Sequence, residues 1–483
     1  MRKEHDALGE MDVPDEVYYG IQTCRVADNY NISDRTYGEY PEIITAMAEV
    51  KKACAITNAQ IGALAKDKSV AIVQACDEMI AGKFTDQFPV NVWRSQGTGV
   101  NMNVNEILAN RANEILTGNR GYDAVHPNSH VNMCQSSNDV FPTCEAIVLY
   151  RKTAEVVQAA HDFEKVLAAK ASAFKDTVRL GRTGMQDAVP MTWGQIFGGW
   201  HSMMQRNRQA LDNYRHVFQS TVLGATILGT GMGQQPGYLE HIYENLSKVV
   251  GFELHWAEMD GEVIADSAIF DGMRNTDHQF MLMAHLKALM AGASRIANDL
   301  ILFGSGPRSG LRELRLPALK TCTQVYEGED APYVAEAMLD VLHQITAAEQ
   351  MAFYSANEGQ QDHGSLNSGG ITGVVDSLTL AKGALEKFTS FVSAVEVNSD
   401  VCLKNAALST SLSTMVSALF GYPIGVKCAK LALAEGISCK EAALRENLLP
   451  PEVAEELFDV RKLTDRKATV AMFKKYGKLR KIS

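Results

Sequence analysis

The chain reads as an all-α protein, and three observations carry that expectation. From Cys144 to Leu180 there is neither glycine nor proline, and Leu149, Val156, Ala160, Phe163, Leu167 and Phe174 recur at three-, four- and seven-residue steps. Two further runs repeat the pattern, with Leu286, Leu289, Ala293, Ile296 and Leu300 on one face and Val334, Met338, Val341 and Ile345 on another. Alternating apolar and polar patterns of the strand type are scarce. Helices this long, well beyond the usual ~8 to 20 residues, predict a bundle and favour an oligomer. The small residues in "AHLKALMAGASRIAN" (284–298) allow helices to approach closely, although alanine is also simply a strong helix former.

With 483 residues the chain can bury a large core, enough for roughly two to four domains. Polar stretches at "HPNSHVNMCQSSND" and "VEVNSDVC" suggest boundaries that divide it into 1–137, a central long-helix region 138–395 and a small C-terminal helical region 396–483. The N-terminal stretch lacks the apolar core of a signal peptide, and no segment offers about 18 uninterrupted apolar residues, so a cytoplasmic protein without membrane contact is expected. A net charge of -11 disfavours nonspecific nucleic-acid binding, which needs cations to neutralise phosphates. The basic tail "RKATVAMFKKYGKLRKIS" is read as a solvated terminal helix with a frayed end. Nine cysteines at irregular spacing, without CxxC pairs, are expected to be buried thiols rather than disulfides or zinc ligands. His126 and His130 are four apart, but Pro127 opposes a helix presenting both to a metal; no metal or other cofactor is expected. "GTGMGQQPG" from Gly229 lacks the strand-helix-strand context of a dinucleotide loop.

Three polar, glycine-bearing stretches precede long helices, where free N–H groups and the helix dipole favour an anion. In "GTGVNMNVNE", Thr98 offers a hydroxyl, and Asn103 with Glu106 has capping-box spacing. In "QSSNDVFPT", Ser136 and Asp139 have the same spacing, leaving Ser137 and Asn138 as spare donors. In "GRTGMQDAVPMTWGQ", Pro190 and the Thr192 to Gln195 spacing are read as a helix start, with Arg182, Thr183 and Gln186 outside it. Taken singly, each stretch can be only a helix cap.

Their combination with "GSGPRSGLRELRLP", and with "VPDEVYYGIQT", "DQFPVNVW", "NMNVNEILANRA" and "LGATILGTG" in matching order, resembles the aspartase and class II fumarase family over essentially the whole chain. That resemblance implies a three-domain, mostly helical subunit. It also implies a homotetramer whose active sites each collect residues from three subunits. Family members remove a proton from the carbon next to a carboxylate, then expel an amine or hydroxyl. The doubly charged aci-carboxylate intermediate must be met by preorganised hydroxyls, amides and helix N-termini. By resemblance, Thr98, Ser136, Ser137 and Asn138 hold this carboxylate and the departing group, and Thr183 makes a further substrate contact.

The other half of the family's site has changed. Laid without gaps on the family loop GSSxMPxKxNP, "CTQVYEGEDAP" puts Thr323 at the proton-abstracting serine, Glu329 at the lysine and Ala331 at the asparagine. Glu329 reverses the charge of a residue that would clamp a second substrate carboxylate. Gly184 stands where many members have histidine or glutamine, and Glu336 matches a glutamate that pairs with that histidine. "GQQDHGSLNSG" introduces His363, a new acid/base candidate, and about ten extra residues fall in "GEVIADSAIFDGMRNTDH". The expected activity is therefore an aspartase-like ammonia lyase acting on a small carboxylate that lacks the usual second carboxylate. A noncatalytic ligand-binding or assembly paralogue is the alternative, and ordinary aspartase or fumarase activity follows if the loop register is different.

Overall fold

The helical periodicity is realised along most of the chain in the structure, a computed structural model, which describes residues 1–93, 96–317, 331–358, 362, 364 and 368–479. A hairpin of β1 (Arg2–Asp6) and β2 (Gly9–Val13) precedes α1 (Ile21–Asn29), α2 (Pro41–Gln60), α3 (Lys66–Ile80), α4 (Gln96–Thr117) and the long α5 (Ser137–Ala173). A second hairpin, β3 (Val178–Thr183) with β4 (Gln186–Thr192), leads into α6 (Trp193–Arg215). There follow α7 (Tyr238–Val250), α8 (Ser267–Arg274), α9 (Asp277–Gly304), α10 (Tyr333–Asn357) and α11 (Ser368–Ser393). Six short helices close the chain: α12 (Ser399–Leu408), α13 (Ser413–Phe420), α14 (Tyr422–Glu435), α15 (Cys439–Arg445), α16 (Pro451–Leu457) and α17 (Arg466–Lys475). Among the described residues, every sheet has two strands and no helix is long and apolar enough to cross a membrane.

The longest helix differs from the expected Cys144 to Leu180 by seven residues at each end (144 to 137, 180 to 173). Pro142 does not stop it: lying within the second turn, the proline forfeits one backbone bond while the buried face of the helix continues. At the other end Val178 and Leu180 leave the helix and pair as a strand, because they pack on the C-terminal core instead.

Two compact units make up the chain. The first comprises Met1–Gln158, Gln209–Leu289 and Val341–Lys382. Here α2 packs on α3 and α7, α3 on α4, and α1 on α4, burying Ile43, Met47, Cys54, Ile72, Val104, Leu108 and Leu246. The Asn103 to Glu106 spacing is not a capping box, because α4 begins at Gln96 and both residues lie inside it. Glu106 instead serves another helix: its carboxylate accepts from the backbone N–H of Gly20, Gln22 and Thr23 at 2.9, 2.9 and 3.0 Å, satisfying orphan donors at the start of α1.

The second unit comprises Ala159–Arg208, Met290–Asp340 and Gly383–Ser483. Its core joins Val178 and Leu180 to Ala406, Val416, Leu419, Ala442, Leu457 and Met472 of the closing helices. The basic tail is thus anchored through Met472. The capping box at α6 is present, Thr192 Oγ1 accepting from Gln195 N at 3.1 Å and Gln195 Oε1 from Thr192 N at 3.0 Å. Pro190 is not part of it; it pairs opposite Leu180 in β4.

Candidate active site

The start of α5 is built to expose donors. Ser136 caps the helix, its Oγ accepting from Asn138 N at 3.3 Å, while Asp139 Oδ1 reaches back to Ser136 N at 2.9 Å. Ser137 and Asn138 occupy the first turn, half-buried, where the N–H groups and the positive end of a 37-residue helix meet. Asp139 is fully buried, and its second oxygen accepts from Gly224 N and Thr226 N, both at 2.9 Å. Asn138 Nδ2 donates to Ile227 O at 2.8 Å, so the glycine-bearing loop from Gly224 is tied to the same turn. Burial pushes the Asp139 carboxyl up to about 6, and the three backbone N–H bonds oppose that rise.

Behind this turn lies a largely buried polar network. Asn101 Nδ2 donates to Ser137 Oγ at 3.0 Å and to Asn132 Oδ1 at 3.2 Å. Asn132 Oδ1 also accepts from Asn105 Nδ2 at 3.2 Å and from Lys51 Nζ at 2.9 Å; Lys51 Nζ further donates to Gln135 Oε1 at 2.8 Å. Thr98 lies three residues before Asn101, thus on the same face of α4, and is exposed in the first turn of that helix. Ser136, Ser137 and Asn138 are therefore gathered at one helix start, and α4 carries both Thr98 and the amide that reaches Ser137. Sequence reasoning missed Lys51, Asn101, Asn105, Asn132 and Gln135. The available signal was the pair Asn101 and Asn105, four apart and so on one face of the helix.

Thr183 belongs to the second unit, exposed at the end of β3. The hairpin turn has positive φ at both central residues, +53° at Gly184 and +63° at Met185, the mirror-image turn suited to the strand twist. Its base is held by Glu313, fully buried, whose Oε1 pairs with Arg182 at 2.6 Å, with Arg179 3.8 Å from Oε2. Arg179 lies between the rings of Trp193 and Phe303, at 4.5 and 4.4 Å from their centroids. A Cβ at Gly184 meets nothing within 4 Å. Gly184→His is expected to fold, losing only about 1 kcal/mol to the left-handed backbone. A denaturant midpoint lowered by much more would show that the turn, rather than ligand choice, requires glycine.

Of the remaining candidates, Thr323, Glu329 and His363 lie outside the described residues. Ala331 is buried and Glu336 is exposed in the first turn of α10. His126 caps a π-helical turn at Pro127–Val131, and His130 lies within it. His126 Nδ1 accepts from Asn128 N and Ser129 N, and His130 Nδ1 from His126 N. Eight cysteines are described and all are free thiols, seven of them buried.

Comparison with known proteins agrees over nearly the whole length. The lyase family matches residues 9–345. An aspartate ammonia-lyase from Bacillus sp is 32% identical over 467 residues, covering 96% of this chain and 97% of that protein. A class II fumarate hydratase from Bacillus cereus is 34% identical, covering 96% and 98%. Among solved structures, a fumarate lyase:delta crystallin from Brucella melitensis superposes with a TM-score of 0.90 at 33% identity, covering 96% of this chain and 99% of that one. A class II fumarase from Schistosoma mansoni gives 0.88 at 28% identity, with the same coverage.

Proposed function

Since the chain belongs to the aspartase and class II fumarase superfamily of lyases, we propose that it eliminates ammonia from an amino acid lacking the second carboxylate of aspartate. A β-amino acid fits: its carboxylate stays beside the carbon that loses the proton, and its amine leaves from the next carbon. A base takes that proton, and the electron pair moves into the carboxylate to form the aci-carboxylate. The pair then returns to make the carbon-carbon double bond as ammonia departs. Thr98, Ser136, Ser137 and Asn138 hold the carboxylate and leaving group in this reading, with Thr183 as a further contact. Thr323 stands in the base position, with His363 as the other acid/base candidate. The enzyme acts as a cytoplasmic homotetramer with sites shared between subunits.

The observation that carries the reading is the contrast between the two halves of the site. The donor-rich start of α5 is intact, its Ser137 hydroxyl supported by Asn101. The sequence meanwhile places Glu329 where a second substrate carboxylate would need a cation. Ordinary aspartase or fumarase activity is the second reading, favoured by near-equal identity to an aspartase and a fumarase, 32% and 34%. Joint loss of the serine, lysine and asparagine of the loop favours a noncatalytic paralogue instead. Incubation with a panel of unsaturated acids plus ammonia, and with aspartate, malate and fumarate, separates the three by enoate absorbance. Efficient aspartate deamination refutes the altered-substrate reading, and no turnover of any compound refutes the enzyme. Glu329→Lys is expected to shift the kcat/KM ratio toward dicarboxylates by about tenfold or more, the equivalent of 1.4 kcal/mol; an unchanged ratio removes Glu329 from the pocket.

A further inference from the structure

A lysine with no part in the chemistry above is buried behind the donor-rich turn. Lys51, on α2, has no exposed surface. Its Nζ donates to the amide oxygens of Asn132 and Gln135 at 2.9 and 2.8 Å, and it has no ion-pair partner among the described residues. Its other neighbours include the thiols of Cys54, Cys76 and Cys144, all held protonated by burial. Burial pushes the Lys51 ammonium down to about 8, and the charge of the Asp139 carboxylate opposes that fall. A buried ammonium facing two neutral amide oxygens is an expensive way to fill a core, and a methionine would fill the same space.

Its hydrogen bond meets those of Asn101 and Asn105 at one shared acceptor, Asn132 Oδ1. Lys51 Nζ holds the Asn132 oxygen, which accepts from Asn101 Nδ2; the same Asn101 amide donates to Ser137 Oγ. With Oγ accepting there, the Ser137 proton is directed to another acceptor, and the exposed side of the helix start is where an anion has access. We propose that Lys51 is a positioning residue for the carboxylate cradle: through Asn132 and Asn101 it presents the Ser137 hydroxyl as a donor, and its interior charge favours the doubly charged aci-carboxylate over the singly charged substrate. The inference rests on the reading that Ser136 to Asn138 receive the substrate carboxylate.

The test uses nitronate anions, whose planar carbon-nitrogen unit with two oxygens copies an aci-carboxylate, against matched carboxylates. The pairs are the nitronate of 1-nitropropane against butanoate, and the nitronate of 3-nitropropionate against succinate. Wild-type protein is expected to prefer a nitronate by about 100-fold or more, as for other intermediate mimics. Lys51→Met should lose about tenfold or more of that preference while melting no lower than wild type, since an uncompensated buried charge is gone. Asn101→Ala should lose a similar factor, and the double variant no more than the worse single one, because both act through one relay. Undiminished nitronate preference in Lys51→Met overturns the proposal. So does parallel loss of both ligand types with a lowered melting temperature, or additive losses in the double variant. A wild-type protein that does not discriminate nitronate from carboxylate points to a different failure: the cradle reading falls, and the inference falls with it.

Discussion

Ser137→Ala is expected to lower kcat/KM by about 10²- to 10³-fold on whichever substrate the wild-type enzyme turns over, with the fold intact. The hydroxyl sits in the first turn of α5, where its partner Asn101 occupies it as an acceptor and leaves its proton for another acceptor. A donor aimed at charge that develops only in the intermediate acts mainly on the chemical step, so the loss should fall on kcat more than on KM. Stability should change little. Ser136 still caps the helix, Asp139 still satisfies Ser136 N, and Asn101 keeps its bond to Asn132. Loss of one hydrogen bond costs about 1 kcal/mol. Steady-state kinetics with a denaturation curve on the same preparation checks both halves. A Ser137→Ala enzyme with wild-type kcat would remove the start of α5 from the reaction.

Glu313→Gln is expected to lower the stability of the second unit by about 3 to 5 kcal/mol, the typical cost of stripping one partner from a buried ion pair. The substitution keeps the shape and removes the charge. Arg182 then loses its 2.6 Å partner, and Arg179 is left with only the rings of Trp193 and Phe303. Both guanidinium groups depend on this one carboxylate. Because Arg182 directly precedes Thr183, the same variant should raise KM as the hairpin tip loosens. A shift in the denaturant midpoint equivalent to less than about 1 kcal/mol would show that ring stacking and solvent carry the two cations without Glu313.

Much of the architecture was legible in the residues. Periodicity reported the long helices, and the Thr192 and Gln195 spacing reported the start of α6. The ordered motifs identified the superfamily, and the Ser136 to Asp139 spacing announced itself as a helix start. These are local signals: each is set by residues within a few positions of one another, so the chain carries them whatever it packs against.

Other features depended on partners far away in the chain. Glu106 looks like a capping residue for its own helix, yet it binds N–H groups of Gly20, Gln22 and Thr23, more than eighty positions earlier. Val178 and Leu180 continue a helical pattern, yet they became a strand because the apolar surface of α12 to α17 offered them burial. Lys51 and Lys52 are adjacent lysines on α2. Only packing decided that Lys52 reaches Asp77 near the surface while Lys51 points into the interior toward Asn132. The residue sequence therefore determined which helices form and which family they belong to, because hydrophobic periodicity and capping act over a turn or two. Tertiary structure decided which buried polar groups find one another, because a desolvated donor must be satisfied by whatever acceptor the fold brings within reach.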